Sequence, residues 1–182
     1  MATLAAMLVP VALVGAWSPA APRPSDRLTI SQIAPALLAP GAAAAAVGYS
    51  GMLAVETETP ACGMARGRTF CTQTYVADVF GVHPAAVGAW SSRTPAKAKA
   101  FLSLAANDPS NSLSKVVTFT GTELVMETLE SSSHSGSDIV TTWRVVGNNV
   151  VAGTCARTAS SANRAALISC ARVLAKAQAL RF

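Results

Sequence analysis

Residues 139–180 read IVTTWRVVGNNVVAGTCARTASSANRAALISCARVLAKAQAL, and this stretch decides the fold class. Its opening residues, Ile139, Val140, Thr141, Thr142 and Trp143, are β-branched or aromatic and predict a strand over 139–146. Gly147, Asn148 and Asn149 tolerate positive φ and read as a short hairpin turn. The chain then returns as a partner strand over 150–156. Ser160 or Ser161 caps a final helix that runs to about residue 180. Ala166, Cys170, Val173, Leu174 and Ala177 recur at helical spacing and form the face expected against the sheet. A hairpin followed by a long amphipathic helix is an antiparallel sheet with a helix laid on it.

Upstream, strands are expected over 115–120 and 123–129, joined at Gly121, with 131–138 a polar turn. Thr94 followed by Pro95 is a helix start, a capping hydroxyl with proline at the first helical position. That helix should run over 95–106, with Phe101, Leu102 and Ala105 as its apolar stripe and Asp108 and Pro109 as its stop. Strands are expected over 48–57 and 72–80, separated by a turn-rich loop over 60–71. Ser31 caps a short helix over 32–38 that Pro40 and Gly41 end, and the alanines at 42–46 suit helix or loop. His83 before Pro84 reads as part of a turn. The order of elements predicts an α+β fold, an antiparallel sheet with helices packed on one face.

The four cysteines fall in two local pairs. Cys62 and Cys71 enclose eight residues, and Cys155 and Cys170 enclose fourteen. Of three possible pairings, the local one is expected. A Cys155–Cys170 bridge would pin the last helix to the sheet and contribute roughly 3 kcal/mol by loop closure. The spacings fit neither a zinc site nor a Cys-x-x-Cys redox pair, so no metal and no cofactor is expected.

Two disulfides belong in an oxidising compartment. The N-terminus agrees. Residues 4–15 are apolar, too short to span a bilayer, and Ser18 and Ala20 are small residues spaced for cleavage after Ala20. The expected organisation is a signal peptide over 1–20, a Pro-rich linker over 21–27 and a single domain over 28–182. The absence of a positive charge before Leu4 departs from the usual signal pattern.

Composition narrows the function. Alanine makes up about a fifth of the 182 residues and aromatics 5%, so the core is thin and the disulfides matter. The net charge is +5 and uneven. Residues 150–182 carry five cations and no acid, while 121–140 carry four acids and no Lys or Arg. The cations read as a solvated helix face suited to a helix C-terminus, or as a surface for an anionic envelope component. Nucleic acid is not expected, because the cations are not interleaved with aromatics for stacking. No catalytic residue is expected. His134 lies among serines and Asp138, but neighbours in sequence do not make a triad, and there is no Gly-x-Ser-x-Gly elbow. Glu56 and Glu58 share a strand face and read as an exposed edge.

Three segments carry a family resemblance: Leu28-Thr29-Ile30-Ser31-Gln32-Ile33 ahead of residues 52–59, the alanine-rich Thr94-Pro95-Ala96-Lys97-Ala98-Lys99-Ala100-Phe101-Leu102, and Arg144-Val145-Val146-Gly147-Asn148-Asn149-Val150-Val151 leading to Cys155. Over 28–180 the chain resembles the extracytoplasmic sensor domain of mycobacterial serine/threonine kinases, which also occurs in related secreted or lipid-anchored actinobacterial proteins. The resemblance implies a two-disulfide α+β domain with a ligand groove. Members usually place a cysteine just after the middle helix, and residues 107–111 have none, so a disulfide pairing is not carried over.

The expectation is a secreted or cell-envelope ligand-binding, sensor-like module without catalysis. Its groove would lie between sheet and helices, lined by Tyr75, Phe80, Trp90 and Trp143, and take a small apolar ligand. The alternatives are a secreted interaction protein with a protein partner, such as a protease inhibitor presenting Arg66 or Arg68 on the loop closed by Cys62 and Cys71, and, least of all, a hydrolase using His134.

Overall fold

The computed structural model describes residues 27–78, 81–108, 114–129, 137–158 and 164–182. The expected signal segment, Phe80, His134 and the serines expected to cap the last helix lie outside them. Eight strands form an antiparallel sheet: β1 (Leu53–Val55), β2 (Ala61–Ala65), β3 (Arg68–Ala77), β4 (Val82–Ser91), β5 (Ser114–Phe119), β6 (Glu123–Leu129), β7 (Ser137–Val146) and β8 (Asn149–Thr158). The order is β1-β3-β4-β8-β7-β6-β5, and β2 pairs with β3 beside β1. The helices are α1 (Ile30–Ile33), α2 (Pro40–Val47), α3 (Pro95–Ala106) and α4 (Arg164–Ala179), with a 3-10 turn at Ala34–Ala36.

The hairpin that opened the reading is β7–β8, in register from Ser137↔Thr158 to Val146↔Asn149. Only its Gly147 takes positive φ, at 58°. Its two faces differ by strand alternation. Val140, Val151 and Cys155 join Val87, Ala89 and Val125 against Leu167, Cys170, Ala171 and Leu174 of α4. Val150 joins Leu124 and Met126 against Ala98 and Leu102 of α3. The α+β class, the antiparallel sheet and both disulfides stand as expected, and α1, α2 and α4 share one face. Helix α3 lies on the other, where one covered face was expected, because Ala98 and Leu102 dock on the residues that alternate away from α4.

The buried stripe of α4 is Leu167, Cys170, Ala171, Leu174, Ala175 and Gln178. Ala166 and Val173, expected inward, are exposed. The stripe was misplaced because Gln178 looks polar, yet it is fully buried and bonded. Its Oε1 accepts from Leu38 N at 3.0 Å and its Nε2 donates to Ala36 O at 3.0 Å. Tyr75 Oη donates to Leu38 O at 2.6 Å. Both backbone groups of Leu38 are thus held, and the α1–α2 segment is tied to α4 and β3. At Gly153 the helix sits directly on the sheet. A Cβ there would touch Ala175 N and come 2.8 Å from Leu174 C.

Several local expectations give way. Pro40 opens α2 at its first turn instead of ending a helix, and Gly48 closes it in the left-handed conformation. The strand expected over 48–57 is confined to β1, and the Gly48 cap of α2 takes its first residue. The expected loop over 60–71 is the β2–β3 hairpin, with Cys62 opposite Cys71, Cα atoms 4.1 Å apart. Its turn is Arg66-Gly67, with φ of 48° and 74°. Two positive φ values in a two-residue loop match the right-handed twist of the strands. His83 and Pro84 lie in β4, where a bulge at Ala85 accommodates the proline.

Candidate ligand-binding groove

The second face of the sheet is built around α3. Thr94 Oγ1 accepts from Lys97 N at 3.3 Å and Pro95 follows, so the helix starts where the sequence placed it. Ala98 and Leu102 are fully buried on Leu124, Met126 and Val150. Those contacts hold α3 over β6, β7 and β8. The neighbouring strip over β3 and β4 is left partly uncovered.

That strip is an apolar groove of about 290 Å³. Its floor is Ala86, Gly88, Ala152 and Thr154, and its walls are Trp90, Phe101 and Trp143. Small floor residues follow from strand alternation: β4 and β8 turn Val87, Ala89 and Val151 to the α4 core and Ala86, Gly88 and Ala152 to the groove. Trp90 stacks on Phe101 with centroids 5.7 Å apart and planes 27° off parallel. The Trp90 ring lies over Gly88, where a Cβ would be 2.7 Å from Trp90 Cη2.

Trp90, Phe101 and Ala105 also line a second compartment of about 280 Å³, closed on its far side by the hairpin residues Ala65, Arg66 and Arg68 and by Asp108. Arg68 turns inward, its guanidinium carbon 5.0 Å from the Phe101 centroid, a cation–π geometry. Burial first, and the Arg66 charge second, hold its pKa below the ordinary arginine value.

Arg66 and Arg68 are also shared with a third, polar compartment of about 440 Å³. Gly67, Ser92, Arg27, Arg93 and Lys97 complete it. Arg27 Nη1 donates to Gly67 O at 3.1 Å and braces the hairpin turn.

Of the expected groove residues, the structure brings Trp90 and Trp143 together. Tyr75 is on the other face, in the core under α4, where burial raises its phenol pKa well above the usual value. Arg66 and Arg68, expected on a separate interaction loop, line the compartments that adjoin this groove. Phe101 and Ala105 were read only as helix core, and Ser92, Arg93, Lys97 and Arg27 were not singled out. His83 Nδ1 lies 3.0 Å from Pro84 O, and Glu56 and Glu58 are exposed. Among the described residues no cluster of three His, Cys, Asp or Glu could hold a metal, and no single helix is long and apolar enough to cross a membrane.

No protein-family model matches the chain, and no curated protein matches it. Among solved structures the chain is similar to the extracellular domain of PknH from Mycobacterium tuberculosis, at 13% identity and a TM-score of 0.46, over 84% of this chain and 97% of that one.

Proposed function

We propose that the chain is an extracytoplasmic, non-catalytic binding module whose groove beside α3 takes an apolar ligand. One observation carries the reading: Trp90, Phe101 and Trp143 stand around a floor of alanine, glycine and threonine on a folded, disulfide-tied sheet. Apolar and aromatic side chains with a few polar groups are the usual lining of a small-molecule site. All four cysteines are bridged, which suits an oxidising compartment outside the cytoplasm. The apolar segment over 1–20 supports the same location as an export signal.

The reading in which the Cys62–Cys71 loop inhibits a protease has less behind it. Arg68 is turned onto Phe101, and Arg66 sits in a tight turn instead of an extended loop.

The test uses N-phenyl-1-naphthylamine, an uncharged probe that brightens in apolar sites and accepts tryptophan emission. Bound in the groove, it will quench Trp90 and Trp143 as its own emission rises. Ala105→Phe fills the groove from a partly exposed helix position and should abolish the signal with the fold intact by circular dichroism. A probe that does not bind, or binds Ala105→Phe equally well, overturns the proposal.

A further inference from the structure

We infer that the ligand is an anionic amphiphile, with its apolar part in the groove and a phosphate head in the cationic compartment at the start of α3. The inference rests on the groove being a binding site and adds the chemistry of what it binds.

The three compartments adjoin. Trp90, Phe101 and Ala105 line both the apolar groove and the middle compartment, and Arg66 and Arg68 line both that one and the polar end. Each apolar compartment alone falls just below the roughly 300–1,000 Å³ typical of small-molecule sites. A ligand filling the trough has to be apolar at one end and polar at the other.

The polar end gathers Arg27, Arg66, Arg68, Arg93 and Lys97 with no acid among its described lining residues. None of the five takes part in an ion pair among the described residues. Elsewhere four arginines are paired with carboxylates. Arg144 and Arg172 pair with Glu123, Arg157 with Asp138 and Arg164 with Glu127. The α3 N-terminus sharpens the contrast. Its first turn has no acid, the residue type that suits the positive end of a helix, and carries Lys97 with Arg93 just before it.

Two buried polar atoms there lack partners. Ser92 is 1% exposed and its Oγ makes no hydrogen bond, and Arg68 Nε is buried and unbonded. A buried polar atom without a partner is costly, and both residues line the polar compartment in which an anion would supply one. Four of the five cations are arginines, whose planar forks match phosphate oxygens in pairs. Five positive charges exceed what one carboxylate would balance. Asp108 borders the middle compartment and sets the limit of the anionic head, which belongs on the Ser92 side.

The experiment titrates the secreted, disulfide-bonded protein preloaded with N-phenyl-1-naphthylamine. The competitors are dodecyl phosphate below its micelle concentration, dodecanol and inorganic phosphate. Dodecyl phosphate should displace the probe at least about tenfold more tightly than dodecanol, the scale of one or two charge-assisted hydrogen bonds. The double variant Arg66→Asn, Lys97→Gln keeps a residue that tolerates the left-handed turn, so its fold and probe binding should persist. It should lose that tenfold advantage, and added salt should erode it in the wild type. Equal displacement by dodecanol, or an advantage unchanged in the double variant, overturns the phosphate head while leaving the groove in place. Inorganic phosphate binding as tightly as dodecyl phosphate, or no probe binding at all, removes the apolar half and with it the amphiphile. A free phosphate ion as the true ligand is thus told apart from a phosphate on a chain.

Discussion

The two faces of the sheet are made from the same strands and do opposite things. Beneath α4, Val87, Val125, Val140 and Val151 meet Leu167, Ala171 and Leu174 with no exposure above 1%. A disulfide crosses the layer, and by strand alternation all four ion pairs among the described residues stand on that side. Beneath α3 the sealed cluster is smaller: Ala98, Leu102, Leu124, Met126 and Val150. A strip beside it stays open as a groove, and five cations stand without acidic partners among the described residues. Alternation along β4 and β8 sets the difference: Val87, Ala89, Val151 and Cys155 face α4, while Ala86, Gly88, Ala152 and Thr154 form the floor of the groove. One face is sealed under α4, and the other keeps an open groove beside α3.

The contrast breaks first, if it breaks, at the disulfide. Changing both Cys155 and Cys170 to serine should cost about 3 kcal/mol in denaturant unfolding, the loop-closure scale for fourteen enclosed residues. A loss well under 1 kcal/mol would mean that α4 is held by packing alone.

A sharper comparison adds one methyl group to each face. Gly153→Ala pushes against the α4 backbone, which cannot yield without moving the helix, so a loss of about 1–3 kcal/mol is expected. Gly88→Ala meets the Trp90 ring and the Thr72 methyl, side chains that can turn. It should cost under about 1 kcal/mol and instead change the tryptophan emission and probe affinity of the groove. Equal losses from the two variants would show both faces to be equally tight.

The smallest effect concerns acid. The hydrogen bond from Arg164, with its charge as a further aid, holds the Glu127 carboxyl below its usual pKa against the opposing effect of burial. Its stabilising contribution is present above the ordinary glutamate range and is lost as pH falls through the lowered value. Glu127→Gln should therefore flatten the acid limb of the stability curve while leaving ligand affinity unchanged. A curve that falls as steeply as the wild type would show that other carboxylates set the acid limit.

Legibility in the sequence followed the same division. The β7–β8 hairpin, β6, α3 and both disulfides could be read because each rests on neighbours in sequence: alternation, a Thr-Pro cap, a Gly-Asn turn, a short cysteine spacing. The α4 face emerged with an error of about one position, because a buried glutamine does not look buried until its partners at Ala36 and Leu38 are known. Strand β4 went unread, since Val-His-Pro-Ala-Ala-Val-Gly-Ala holds few residues that favour strands and a proline excused only by a bulge. The site was half legible. Its tryptophans and hairpin arginines could be named by type, but the cationic end is assembled from residues 27, 66, 68, 93 and 97. No window along the chain shows five charges meeting, and only the crossing of the β2–β3 turn over the start of α3 does.

The grip on Leu38 sets a timetable as well as a structure. A ribosome delivers residue 38 long before residue 178, whose amide must hold the leucine N–H. Until then Ile33, Leu37 and Leu38 have no α4 to cover them, and an early segment waits on the last turn of the last helix. Contacts so distant in sequence are slow to close. The α1–α2 segment therefore cannot be fully covered until residue 178 has been made and α4 has docked.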